Sequence, residues 1–121
     1  MMSPVRAAGL FIANSVWRLT GTKSAGRALV NALASPDPSA RQIAGILLVR
    51  GGKKSVPLVQ EAIERGINLP QTLVMAGDLG AKSLEPHLQK FVNHPNPAVA
   101  KAASDGLRIL AAQPENESRS A

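Results

Sequence analysis

Two histidines and eight carboxylates are the side chains of this 121-residue sequence with potential for acid–base or metal chemistry. His87 and His94 lie seven residues apart, about two helical turns, which is too far for joint chelation of one metal ion. Cysteine is absent, so no thiolate is available as a nucleophile or a metal ligand. We interpret His87 as a polar position on a helix and His94 as a residue at the end of that helix, and we expect neither a metal site nor a cofactor.

The carboxylates do not form an acid–base pair in the sequence pattern. Glu61 and Glu64 share a predicted helix with Arg65 and are typical of a solvated charged face. Asp78 differs because it lies in the apolar stretch 74–79, where a carboxylate either caps a helix end or meets a basic partner. A solvent-facing position beside Gly77 and Gly80 is the simpler interpretation. With no catalytic set, the sequence predicts a protein that is not an enzyme.

The segment Gly51-Gly52-Lys53-Lys54-Ser55 superficially resembles a phosphate-binding loop. It lacks the spacing of that loop, and no strand is predicted before it. A helix starting at Val56 offers free backbone N–H groups beside two lysines, so weak anion binding is the most that this segment predicts.

The composition indicates one globular, all-α domain. Hydrophobic residues make up 45% of the chain, charged residues 18% and aromatic residues 2%. The net charge of +6 is unevenly distributed: residues 1–60 hold eight Lys or Arg and one acid, whereas residues 61–121 hold six and seven. A basic amino-terminal half suits an anionic protein, nucleic-acid or lipid surface, although ordinary solvated helix faces also explain it.

A triplet of apolar positions recurs about every 30 residues and organises the chain. Its three copies are Leu29, Ala32 and Leu33, then Val59, Ala62 and Ile63, then Leu88, Phe91 and Val92. A Lys-Ser pair precedes each copy. A period of this length with helical content indicates stacked helix pairs, each too small to bury its apolar face alone.

The pattern predicts an α-solenoid of about seven helices, in three antiparallel pairs followed by one terminal helix. The predicted ranges are 5–20, 25–34, 38–50, 56–65, 70–79, 84–93 and 97–112. Ser24, Ser55 and Ser83 are the predicted caps of three helices. Two Pro-x-Pro segments, 36–38 and 95–97, are the predicted breaks between units. Residues 1–112 then form one domain, and the polar residues 113–121 form a disordered tail.

The repeat resembles the HEAT-repeat family, in particular its short bacterial form related to phycobilisome-lyase repeats. The best-matching unit carries Asp37, Ala40, Arg41, Ala44 and Leu47, then Gly51-Gly52, then Val56-Pro57-Leu58 and Ala62-Ile63. The third unit keeps Gly80, Leu84, Pro86 and Leu88, and the fourth keeps Asn96, Val99, Ala103 and Leu107. The resemblance implies a scaffold or adaptor role.

The sequence also departs from the family pattern. Ala100 stands where the family has an arginine, and the third unit lacks an acidic residue at its start. The polar ladder that such Asp and Arg residues form between repeats is therefore available at most once, at Asp37 and Arg41.

Three functions are compatible with these features. We expect a non-catalytic scaffold that binds another protein, with an acidic surface, or a second copy of itself, through Arg27, Arg41, Lys53 and Lys54. The first alternative is nucleic-acid binding through the basic half, although the aromatic side chains that stack on bases are nearly absent. The second is peripheral membrane attachment by residues 5–20, which otherwise pack as the first helix of the stack. The expected location is cytoplasmic, or peripheral at the membrane in that second alternative.

Overall fold

The computed structural model of this chain describes residues 23–113, and this part is all-helical with no strand. Its six α-helices are α1 (Lys23–Ala32), α2 (Pro38–Arg50), α3 (Val56–Glu64), α4 (Leu69–Asp78), α5 (Glu85–Gln89) and α6 (Pro97–Ala112). Two 3₁₀ helices, Gly52–Ser55 and Lys82–Leu84, precede α3 and α5. The predicted all-α class is confirmed. The predicted helix over residues 5–20 lies outside the described residues.

Helices α2 and α6 begin in the same way because each starts at the second proline of a Pro-x-Pro segment. The Asp37 carboxylate accepts a hydrogen bond from the backbone N–H of Ser39 at 2.9 Å. The Asn96 side-chain oxygen accepts one from Ala98, also at 2.9 Å. In each case a proline occupies the first helical position, where its missing N–H has no intrahelical partner to lose. The predicted bounds of these two helices, 38–50 and 97–112, are confirmed.

The residues two places before these caps complete the shared arrangement. The Ser35 hydroxyl accepts a hydrogen bond from the backbone N–H of Asp37 at 3.1 Å. In the later copy, His94 Nδ1 accepts from the backbone N–H of Asn96 at 3.0 Å. His94 therefore contributes to the entry of α6, whereas the sequence predicted it at the end of the preceding helix, which stops at Gln89.

The predicted serine caps differ from the structure: Ser55 occupies the N-cap position of α3 but makes no side-chain cap bond. Ser24 lies inside α1, and Ser83 lies inside the 3₁₀ helix before α5. Ser55 is fully buried, and its hydroxyl donates to the Leu48 carbonyl of α2 instead of capping α3. A side-chain cap is usually made by a residue with extended backbone. The residues directly before α3 and α5, Ser55 and Leu84, instead have helical backbone because a 3₁₀ helix leads into each.

Helix α5 is shorter than predicted, because it ends at Gln89 rather than at residue 93. After Gln89 the chain continues in i→i−3 hydrogen bonds, from Phe91 to Leu88 at 3.0 Å and from His94 to Phe91 at 3.1 Å. Such tight turns are common at a helix end. Pro95 follows immediately and disfavours helical backbone at the residue before it.

Consecutive helices pack against each other, and so do alternate ones. Helix α1 contacts α2, α3 contacts α4, and α5 contacts α6; in addition α2 contacts α4, α4 contacts α6, and α1 contacts α3. One continuous apolar core results, and its largest fully buried side chains include Leu29, Leu33, Leu48, Val59, Ile63, Leu73, Leu84 and Leu88. The recurring apolar triplet therefore correctly identifies core positions, although Ala32, Phe91 and Val92 are only partly buried.

Side-chain amides link the units where the sequence suggested an Asp–Arg ladder. Asn68 Nδ2 donates to the Leu33 carbonyl at 3.1 Å and to Gln71 Oε1 at 2.7 Å. Gln71 Nε2 in turn donates to the Arg41 carbonyl of α2 at 2.9 Å, across 30 residues of sequence. The 30 residues between Arg41 and Gln71 match the period of the apolar triplet. The Gln71 amide therefore joins equivalent parts of α2 and α4.

A third amide fixes the carboxyl end of α6. Gln113, the first residue of the predicted disordered tail, donates from Nε2 to the Gly77 carbonyl at 3.0 Å. Residues 114–121 lie outside the described part of the chain.

Candidate protein-binding groove

A solvent-open groove of about 580 Å³ runs between α2 and α4. Its lining residues from α2 are Gln42, Gly45, Ile46, Val49 and Arg50, and those from α4 are Pro70, Gln71, Val74, Met75 and Asp78. The two helices run parallel here, because Gln71 meets Arg41 near their starts while Arg50 and Asp78 line the groove at their ends. The groove is mostly apolar, with amides at one end and charges at the other.

Gly45 determines how α2 and α4 meet. A Cβ at this position would collide with the Gln71 side-chain amide and lie 3.7 Å from Met75 Sδ. The bare glycine leaves room for the Gln71 amide to reach the Arg41 carbonyl. At this contact the Gln71 side chain of α4 lies over Gly45 of α2. The groove beside this contact is open to solvent.

Helices α4 and α6 meet in the opposite way. Gly77 and Gly106 bring the two backbones into direct contact, with room for no Cβ on either residue. The described groove lies at the contact of α4 with α2, where Gln71 and not the backbone meets the glycine.

Ile46 stands at the edge of this groove and is the exposed large apolar side chain of the described residues, at 46%. On its other side, Ile46 also lines a smaller hollow of about 130 Å³ with Ile43, Leu47 and Arg50. An exposed isoleucine between two hollows offers apolar surface that water covers poorly. Isolated exposed apolar residues are common, but an apolar edge beside an apolar groove is typical of an interaction site.

Charged groups close one end of the groove. Arg50 is the last residue of α2 and Asp78 the last of α4, and both line the groove. Within residues 23–113 neither side chain forms an ion pair within 4.0 Å. Partial burial raises the pKa of the Asp78 carboxyl above its ordinary value. Asp78 nevertheless remains exposed, and Arg50 lines the same end of the groove.

The four basic residues predicted as contacts do not form one patch. Arg27 of α1 is exposed and lies 3.8 Å from Glu61. Arg41, near the start of α2, donates from Nη1 to the Ser35 carbonyl at 2.7 Å and so helps to hold the α2 entry. Lys53 and Lys54 are exposed in the 3₁₀ helix beyond the other end of α2.

Other side chains that could take part in acid–base or metal chemistry form ion pairs or hydrogen bonds within the fold. Glu61 lies 3.8 Å from both Arg27 and Arg65, which agrees with its interpretation as surface charge. His87 Nε2 lies 3.4 Å from Glu64 Oε2, while its Nδ1 is buried without a hydrogen-bond partner. Among residues 23–113, no three His, Asp or Glu side chains are grouped closely enough to hold a metal ion.

The groove itself was missed by sequence reasoning, although two signals for it were present. Helix α2 is apolar nearly all round, with Ile46, Leu48 and Val49 outside the main stripe, and such a helix needs cover on a second face. Asp78 is the one acid within an apolar stretch. These two signals point to one groove only if α2 and α4 are known to be parallel neighbours, with Arg50 and Asp78 as their last residues. The sequence does not show that arrangement.

Comparison with known proteins assigns no family: no family model matches the chain, and neither a characterised protein nor a solved structure matches it significantly. No helix among residues 23–113 has the length and apolar character needed to cross a lipid bilayer.

Proposed function

We propose that this chain is a non-catalytic protein-binding module, a HEAT-like α-solenoid that acts as a scaffold or adaptor. The observation that carries the proposal is the apolar groove between α2 and α4 with exposed Ile46 at its edge. Apolar anchors that enter such a groove provide most of the binding energy of an interface, while charged neighbours set its orientation.

The packing of alternate helices supports the solenoid part of the proposal. Contacts along α2, α4 and α6, together with the contact between α1 and α3, are those of helix pairs stacked side by side. The outer face of α6 is charged: Asp105 forms ion pairs there with Lys101 and Arg108. A charged final face suits contact with water rather than with a further repeat.

The proposal moves the main contact from the basic residues to the groove. Lys53 and Lys54 follow the end of α2 and so lie toward the charged end of the groove, where an acidic partner residue can also reach them. Arg27 and Arg41 remain proposed contacts of a wider interface. We propose the cytoplasm as the location, which the cysteine-free sequence suits.

Site-specific photocrosslinking in the native cell tests the proposal. A photoreactive amino acid replaces Gln42, an exposed groove residue, or Ser104, an exposed residue of α6, as the matched control. We expect a discrete protein adduct from position 42, identified by mass spectrometry, that Ile46→Glu removes and that position 104 does not give. An identical adduct pattern in the presence and absence of Ile46→Glu would contradict the proposal.

A further inference from the structure

We draw no further inference here: the strongest candidate, the solvent-open groove between α2 and α4, belongs to the site already described and carries charges of both signs where Arg50 and Asp78 line its end, so nothing in the structure shows what covers it.

Discussion

Gly77 of α4 and Gly106 of α6 meet backbone to backbone. A Cβ on Gly77 would lie 2.5 Å from the Gly106 carbonyl oxygen and 2.9 Å from its Cα. A Cβ on Gly106 would collide in turn with the Leu73 carbonyl oxygen. The close approach depends on both glycines, and the atoms that a side chain would meet belong to the backbone, which cannot rotate away.

Gly77→Ala and Gly106→Ala should therefore each destabilise the protein by about 1–3 kcal/mol, the cost of overpacking a core. Alanine is the better helix former by about 1 kcal/mol, so the helix propensity alone predicts the opposite sign. Gly45→Ala is the matched control, because a Cβ there meets mainly the movable Gln71 side chain and should cost less. Urea unfolding midpoints measure all three, and a stabilised Gly77 or Gly106 variant would disprove the backbone contact.

The side-chain caps of α2 and α6 give a second prediction. Asp37→Ala and Asn96→Ala each remove an acceptor of a backbone N–H at the helix start and should cost about 0.5–2 kcal/mol. Ser83→Ala should be nearly neutral, because Ser83 is exposed and makes no cap bond. Thermal unfolding of the three variants measures this. Equal losses at Ser83 and Asn96 would contradict the assignment of the caps.

Most helices were predictable because their limits depend on local chemistry. Asp37 and Asn96 each supply a side-chain cap, and the proline after each starts the helix, so the ranges 38–50 and 97–112 needed no tertiary information. The serine caps failed for the opposite reason. Whether Ser55 caps α3 or donates to the Leu48 carbonyl depends on how α2 packs against the turn, which is a tertiary property.

The candidate site was less predictable than the fold because it depends on spacing between helices. Gly45, Gly77 and Gly106 look alike in sequence, as single glycines inside apolar helices. In the structure Gly77 and Gly106 close one helix contact, whereas Gly45 holds the other partly open through Gln71. The basic residues Lys53 and Lys54 were found by their type alone, and that criterion cannot place them relative to a groove.

Asn68 connects two parts of the fold in a strained backbone conformation and gives a third prediction. Its φ of 43° is in the left-handed region, and its Nδ2 donates to the Leu33 carbonyl and to Gln71. Asn68→Ala should cost about 1–2 kcal/mol from left-handed strain and, in addition, the lost hydrogen bonds.

Two further substitutions at position 68 separate these contributions. Asn68→Gly relieves the strain and retains only the loss of hydrogen bonds, so it should be less harmful than Asn68→Ala. Asn68→Asp keeps the shape but sets a carboxylate oxygen against the Leu33 carbonyl and Gln71 Oε1, so it should be more harmful than the glycine variant. Chemical denaturation orders the series, and a glycine variant less stable than the alanine variant would contradict the role of the backbone conformation.

Asp78 and Asp105 should respond to pH with opposite signs. Burial raises the pKa of the Asp78 carboxyl above its ordinary 3.8. The folded protein therefore binds this proton more tightly than the unfolded chain, and stability falls as the pH rises from about 3.8 through the raised pKa. At neutral pH the ionised carboxylate costs free energy, so Asp78→Asn should stabilise the protein by a few tenths of a kcal/mol. This gain should disappear below pH 3.8, where Asp78 is protonated in both states.

The pKa of Asp105 is lowered, first by the hydrogen bond from Lys101 and further by Arg108, against a smaller opposing effect of burial. Its contribution to stability is present above pH 3.8 and is lost as the pH falls through the lowered pKa. Asp105→Asn should therefore destabilise the protein at neutral pH, and the loss should fade in acid. Melting temperatures of both variants and the parent, measured from about pH 2.5 to about pH 7 so that the ordinary pKa of an aspartate lies within the range, report the two trends. Curves of the same sign for Asp78→Asn and Asp105→Asn would show that Asp78 already has a counter-ion in the folded protein.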